Sequence, residues 1–139
     1  MRPDEIFKLC TDGIWYTCMV TPLGKPRMTR RDRWKNRECV SRYHSFKDEF
    51  RSLLNGKIPF PHQIKSVSWI AYLPIPESWS KKKKAEMAGT IHQQKPDRDN
   101  IDKAILDSLF GDDSHVAVGL IGKFWDDGKG PRIEILFGV

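Results

Sequence analysis

Between Asn100 and Phe110 the chain reads NIDKAILDSLF, and its apolar spacing leaves few options for the fold. Ile101, Ala104, Ile105 and Leu109 fall on one stripe at helical spacing, and Leu106 and Phe110 widen it beyond what a surface helix carries. The spacing predicts a core helix, which the rest of the chain must cover. Acids bracket it, with Asp97 and Asp99 before it and Asp112 and Asp113 after it.

The cover comes from strands and helices on both sides. Residues 13–20, GIWYTCMV, and 67–75, VSWIAYLPI, have the β-branched and aromatic content of strands. HVAVGLIGKFW (115–125) and PRIEILFGV (131–139) read likewise, joined by DDGKG, a hairpin signal centred on Asp127-Gly128. Ser45 reads as the N-cap of a helix carrying Phe46, Phe50, Leu53 and Leu54 on one face, with Gly56 as its stop. A short exposed helix is predicted within 78–89, capped by Ser80 and ended by Gly89. The order β-α-β-α-α-β-β predicts an α+β fold, a small mixed β-sheet packed against helices. At 139 residues, with no repeat and no long linker, the expectation is a single domain over 1–139.

Charge is distributed unevenly. Residues 1–96 hold 19 Lys/Arg against 9 Asp/Glu, whereas 97–139 hold 5 against 9, within a net charge of +6. Segment 25–37 is the extreme case, and Pro22, Gly24 and Pro26 mark it as a loop or arm. Its Lys25, Arg27, Arg30, Arg31, Arg33, Lys35 and Arg37 face one acid, a density suited to following phosphates, and Trp34 could stack on an unpaired base. The KKKK run at 81–84 is a weaker phosphate patch, since exposed basic helix faces are common. A basic body with an acidic end is odd for a pure nucleic-acid binder. It makes sense if the acids hold cations that the phosphate then shares.

The acids allow two readings. Asp99 as N-cap with Asp102 three residues on resembles a capping box, and Asp112-Asp113 would then be turn residues. Alternatively, extended backbone sends Asp97 and Asp99 to one side, and the chain returns after the helix to bring Asp112-Asp113 beside them. Lys103 then lies one turn in from Asp99, and Asp107, four residues further, is a candidate partner for it. Such hard oxygen ligands suit Mg²⁺. A calcium loop is excluded, because Asp102 and Ser108 stand where glycine and glutamate are required. Asp126-Asp127 lies in hairpin context and reads as structural. His44, His62, His92 and His115 show no zinc spacing, and Cys10, Cys18 and Cys39 form neither a paired framework nor a C-x-x-C. With no apolar signal segment or membrane run, the expectation is a reduced, cytoplasmic protein without membrane contact.

KPDRDNIDKAILDSLFGDDSHV, residues 95–116, resembles the signature of the RusA family of Holliday junction resolvases. The resemblance runs through Lys95, Pro96, Asp97, Asp99, Asn100, Lys103, Asp107, Leu109, Asp112, Asp113, Ser114 and Val116, with looser likeness in TPLGKPRMTRR and GKFWDDGKGPRIEILF. It implies Mg²⁺-dependent hydrolysis of phosphodiesters in four-way and other branched DNA by a homodimer, with Mn²⁺ as a substitute ion. By position, the essential carboxylates fall on Asp97, Asp99 and Asp113, and the functional lysine on Lys103. Family members commonly have a spacer before the Asp-Asp pair, whereas here Gly111 leads straight into Asp112, so Asp112 is the alternative to Asp113 as inner ligand. Competing classes are a non-catalytic DNA-binding protein, a nuclease acting on flaps or forks, and a D-x-D transferase. The basic arm and the lack of a Gly-rich nucleotide-binding start weigh against the last, and no nucleotide cofactor is expected.

Overall fold

Regular structure begins earlier than the apolar pattern suggests. The computed structural model of the protein describes residues 1–27, 29–30 and 37–139. Its first element is a helix, α1 (Pro3–Thr11), absent from the predicted order. Pro3 opens α1 with Asp4 and Glu5 in the first turn, the residues that suit the amino end of a helix. There follow β1 (Tyr16–Cys18), α2 (Glu38–Leu53), β2 (Ser66–Leu73), α3 (Lys81–Met87), α4 (Arg98–Leu109), β3 (Ile121–Trp125) and β4 (Arg132–Gly138). The expected α+β class and mixed sheet are observed, with boundary changes. Ser45 lies inside α2 rather than capping it, and the last strand pair is regular only from Ile121 onward.

The sheet has the order β1-β4-β2-β3. β2 pairs with β4 antiparallel and with β3 parallel, while β1 pairs with the other edge of β4. Alternation along β2 and β4 sends Val67, Trp69, Ala71, Leu73, Ile133 and Ile135 to one face. There they meet Tyr43, Phe46 and Phe50 of α2 and the stripe Ile101, Ala104 and Ile105 of α4. Each large apolar side chain buried this way contributes about 1.5–3 kcal/mol before conformational entropy is set against it. Trp69, fully buried at the centre, still needs a partner for its indole N–H. Asp102 of α4 accepts it at 2.8 Å, so the acid predicted to complete a capping box instead fixes α4 on the sheet.

The predicted β3–β4 hairpin does not form. The two strands lie on opposite sides of β2, and the connection between them crosses the end of that strand. The turn chemistry itself is present. Asp126 Oδ1 accepts from the backbone N–H groups of Gly128 (3.1 Å) and Gly130 (2.9 Å), and Gly128 takes the positive φ of 101° such a turn requires. Asp127 receives both Nη atoms of Arg132 at 2.9 and 3.0 Å. Arg132, 4% exposed, also donates to Glu134 at 3.0 Å and lies over the Tyr72 ring. Asp126 and Asp127 thus have the structural roles expected of them, in a connection that spans a strand.

Candidate active site

α4 is entered through Lys95-Pro96-Asp97. Asp97 is the N-cap residue, two positions before the expected cap, with extended backbone and no side-chain capping bond. Its carboxylate faces outward to Lys95 Nζ at 3.0 Å. Asp99, in the first turn, is 70% exposed and lies 3.7 Å from Lys103 Nζ. Exposed pairs of this kind are worth at most about 1 kcal/mol, so both carboxylates can exchange their lysine for a divalent ion.

The loop before α4 is held from the sheet. Lys123 of β3 donates through Nζ to the carbonyl oxygens of Pro96 (2.8 Å) and Gln94. Burial lowers the Lys123 pKa and the nearby Lys95 charge adds to this, while Asp97 opposes them. Next to it His92 is buried, with its backbone N–H donating to the Lys123 carbonyl at 3.0 Å and its ring 4.1 Å from that of Trp125. Burial, then the charge of Lys123, lowers the pKa of His92. An open groove runs past this assembly, lined by Ile91, Lys95, Asp97, Arg98 and Lys123 among others.

The basic arm begins on the same helix. Gly24 lies so close to the loop that a Cβ there would stand 2.9 Å from Pro96 Cβ and 3.3 Å from Asn100 Cβ. The Lys25 N–H donates to the Asn100 carbonyl at 3.0 Å, and Lys25 Nζ meets Asp107 at 2.7 Å. Asp107 also accepts from Tyr43 Oη at 2.6 Å, so it serves α2 and the arm rather than Lys103. Burial pushes the Asp107 carboxyl upward, but the hydrogen bonds from Lys25 and Tyr43 and the charges of Lys25 and Lys47 hold it below its usual range. Arg37 donates to the Arg27 carbonyl at 2.8 Å, bringing the two ends of the arm together. Arg30 is exposed, while Arg31, Arg33, Trp34 and Lys35 lie outside the described residues.

Asp112 and Asp113 are elsewhere. α4 has 12 residues and so spans about 18 Å, and both acids follow its far end. Beyond them His115 Nδ1 pairs with the Ile64 carbonyl at 2.8 Å and the Ala117 N–H reaches Lys65, both at the start of β2. Asp97 lies near the other end of that strand, since Lys123 pairs with Ala71. The return of Asp112-Asp113 beside Asp97-Asp99 is therefore not made within this chain. Asp112 accepts the Ser114 N–H at 3.0 Å, and hydrogen bonds from Ser114 lower its pKa. The backbone carbonyl of Asp113 accepts from Val116 at 3.0 Å. Among the described residues no three His, Cys, Asp or Glu side chains gather around one point. Asp97 and Asp99 are the residues here that would hold a divalent ion such as Mg²⁺, which typically takes one or two carboxylates and keeps several waters.

Sequence reasoning missed Lys123 and gave Asp102 a capping role, because both contacts depend on which strand lies under α4. Only an apolar strand with one central lysine marked the first.

Fold and site together define a basic α+β protein with two lysine-paired acids, Asp97 and Asp99, at the start of the helix against which the basic arm is anchored. Residues 20–136 match the family model for endodeoxyribonuclease RusA, and the chain belongs to that family. The match takes in the arm, every candidate acid and strands β2 and β3, and leaves α1 and β1 outside. A search of curated proteins returns no significant match. Membership makes the protein a nuclease that hydrolyses phosphodiester bonds in DNA. Among the described residues no helix is long and apolar enough to cross a membrane.

Proposed function

We propose that the protein is a Mg²⁺-dependent, structure-selective endodeoxyribonuclease that resolves four-way and related branched DNA by paired cuts, as a homodimer. The observation that carries this reading is the start of α4. There Asp97 and Asp99, two exposed carboxylates each met by a lysine, lie within the span that matches the nuclease family.

Asp97 and Asp99 would hold the ion. The chemistry it supplies is polarisation of the scissile phosphate and a lowered pKa for the attacking water. Lys103, one turn into α4, is placed to take up charge on the phosphate once Asp99 has released it. Lys123 keeps the approach loop in place, and the arm that starts at Lys25 delivers cations to the flanking backbone.

Asp113 stands about a helix length from Asp97, and this is where a homodimer matters. Asp113 of one copy can supply the third carboxylate to Asp97 and Asp99 of the other. Mixed dimers test this. Asp97→Asn and Asp113→Asn subunits, each inactive alone, should together regain single-strand nicking, because one of the two shared sites is intact. No recovery would place all three carboxylates of each site in one chain.

The main test uses synthetic four-way, three-way and linear duplex DNA, each with Mg²⁺ and with EDTA. Symmetric paired nicks in the four-way junction with Mg²⁺, absent in EDTA and in Asp97→Asn, are expected. Cleavage of linear duplex at the same rate, or full activity of Asp97→Asn at saturating Mg²⁺, would defeat the reading.

A further inference from the structure

α3 reads KKKKAEM, and its lysines stand where local energetics oppose them. Lys81, Lys82 and Lys83 occupy the first turn, at the positive end of the peptide dipoles, with no acid in that turn. Lys81 and Lys84 are neighbours of like charge on the helix surface. Among the described residues none of Lys81, Lys82 and Lys84 makes an ion pair, and Lys81, Lys82 and Lys83 are exposed. A short helix with this composition does not hold itself together, and departures from local preference concentrate at functional positions.

What holds it is a mount on the sheet. Ser80 Oγ caps the helix by accepting from the Lys83 N–H at 3.1 Å. Trp79 packs against buried Trp125 with ring centres 4.8 Å apart, and Lys83 lies over the Trp79 ring at 4.1 Å. After α3, the Gly89 N–H donates to the Trp125 carbonyl, and the Trp125 N–H donates to that of Thr90. The helix is thus tied to the end of β3, two residues past Lys123, which grips the loop before Asp97. Two strand residues span about 7 Å, so the anchor of α3 and the lysine that grips the approach loop are close neighbours on β3.

We propose that the exposed lysines of α3 form a docking surface for the phosphate backbone of a DNA arm leading away from the cut site. The ligand is the sugar-phosphate backbone rather than a base, because the exposed groups of α3 are ammonium charges and the Trp79 ring is already engaged by Lys83 and Trp125. The proposal rests on the nuclease reading above and adds a second contact region to the basic arm.

The test is the salt dependence of junction binding by the full-length protein, measured on a synthetic four-way junction in EDTA. Neutralising one phosphate contact lowers the slope of log Kd against log salt by about 0.9. The variant Lys81→Gln/Lys82→Gln/Lys83→Gln is expected to lose about 2–3 from the slope and to bind more weakly at low salt. Lys82→Gln alone, which removes neither the cap nor the Trp79 contact, should lose about 0.9. Unchanged slopes in both folded variants would overturn the proposal while leaving the nuclease reading intact. A wild-type protein that neither binds nor cuts the junction would overturn both.

Discussion

Replacing Lys123 by methionine would test how the sheet controls the candidate active site. Methionine keeps most of the unbranched stem and all of the strand's backbone bonds. It removes only the ammonium that joins the carbonyls of Gln94 and Pro96. Hydrogen bonds from a charged donor contribute about 1.5–3 kcal/mol each when buried. Lys123 is half-buried, so water takes over part of that role, and a total loss of about 1.5–3 kcal/mol is reasonable. Asp97 follows directly on the released segment, so the loss falls on the fraction of molecules presenting that carboxylate correctly. At 1.36 kcal/mol per tenfold, cleavage should slow by about 10–100-fold. The assay is single-turnover cleavage of a four-way junction across a Mg²⁺ titration, beside junction affinity in EDTA. The expected pattern is a slower rate, a higher half-saturating Mg²⁺ and an affinity changed less than about threefold, with Lys123→Arg recovering part of the rate. A merely structural role would lower the melting temperature without moving the Mg²⁺ dependence. A folded variant with wild-type rate and Mg²⁺ dependence would refute the reasoning.

Other outcomes follow from the contacts around α4. Trp69→Phe removes the indole N–H that Asp102 accepts and leaves unfilled core volume. Urea unfolding should show a loss of about 2–3 kcal/mol. Tyr43→Phe should cost about 1–2 kcal/mol in wild type and much less in an Asp107→Asn background, and equal costs in both would deny the Tyr43–Asp107 bond. Acid should destabilise the fold through Asp107 and Asp127. Their folded carboxyls lie below the ordinary value, with Asp127 held at about 2 chiefly by Arg132 and Asp107 held down against burial by Lys25 and Tyr43. Their contribution is therefore complete above about pH 4 and lost as pH falls towards 2. Melting temperature should fall across that window, and less steeply in Asp127→Asn.

Local signals carried a large part of the fold. β2, α3 with its Ser80 cap and the stripe of α4 follow from residue periodicity and capping, and the K-P-D-x-D-N segment carried the family. The start of α2 at Glu38 is not legible because nothing local marks it; Arg37 stands at the N-cap with no side-chain bond. α1 has good starting residues but buries only Cys10, too little for an apolar stripe. The Asp-Gly turn after β3 is written in the sequence, yet which strand lies between its two arms is decided by long-range packing. The same limit applies to the acids. Spacing puts Asp97 and Asp99 at the start of α4, but the far end of a twelve-residue helix is where Asp113 stands, and only the register of 115–118 against the start of β2 shows it.

The position of β4 has a consequence for how the protein comes into being. It is inserted between β1 and β2, pairing Ile135 with Tyr16 on one side and Trp69 on the other. On a ribosome, the arm and the carboxylate-bearing helix emerge while the sheet they rest on still lacks its middle. Until β4 slots in, β1 has no neighbour and the floor beneath α2 and α4 is incomplete. The helix that carries Asp97 and Asp99 thus gains its full floor only once β4 is in place.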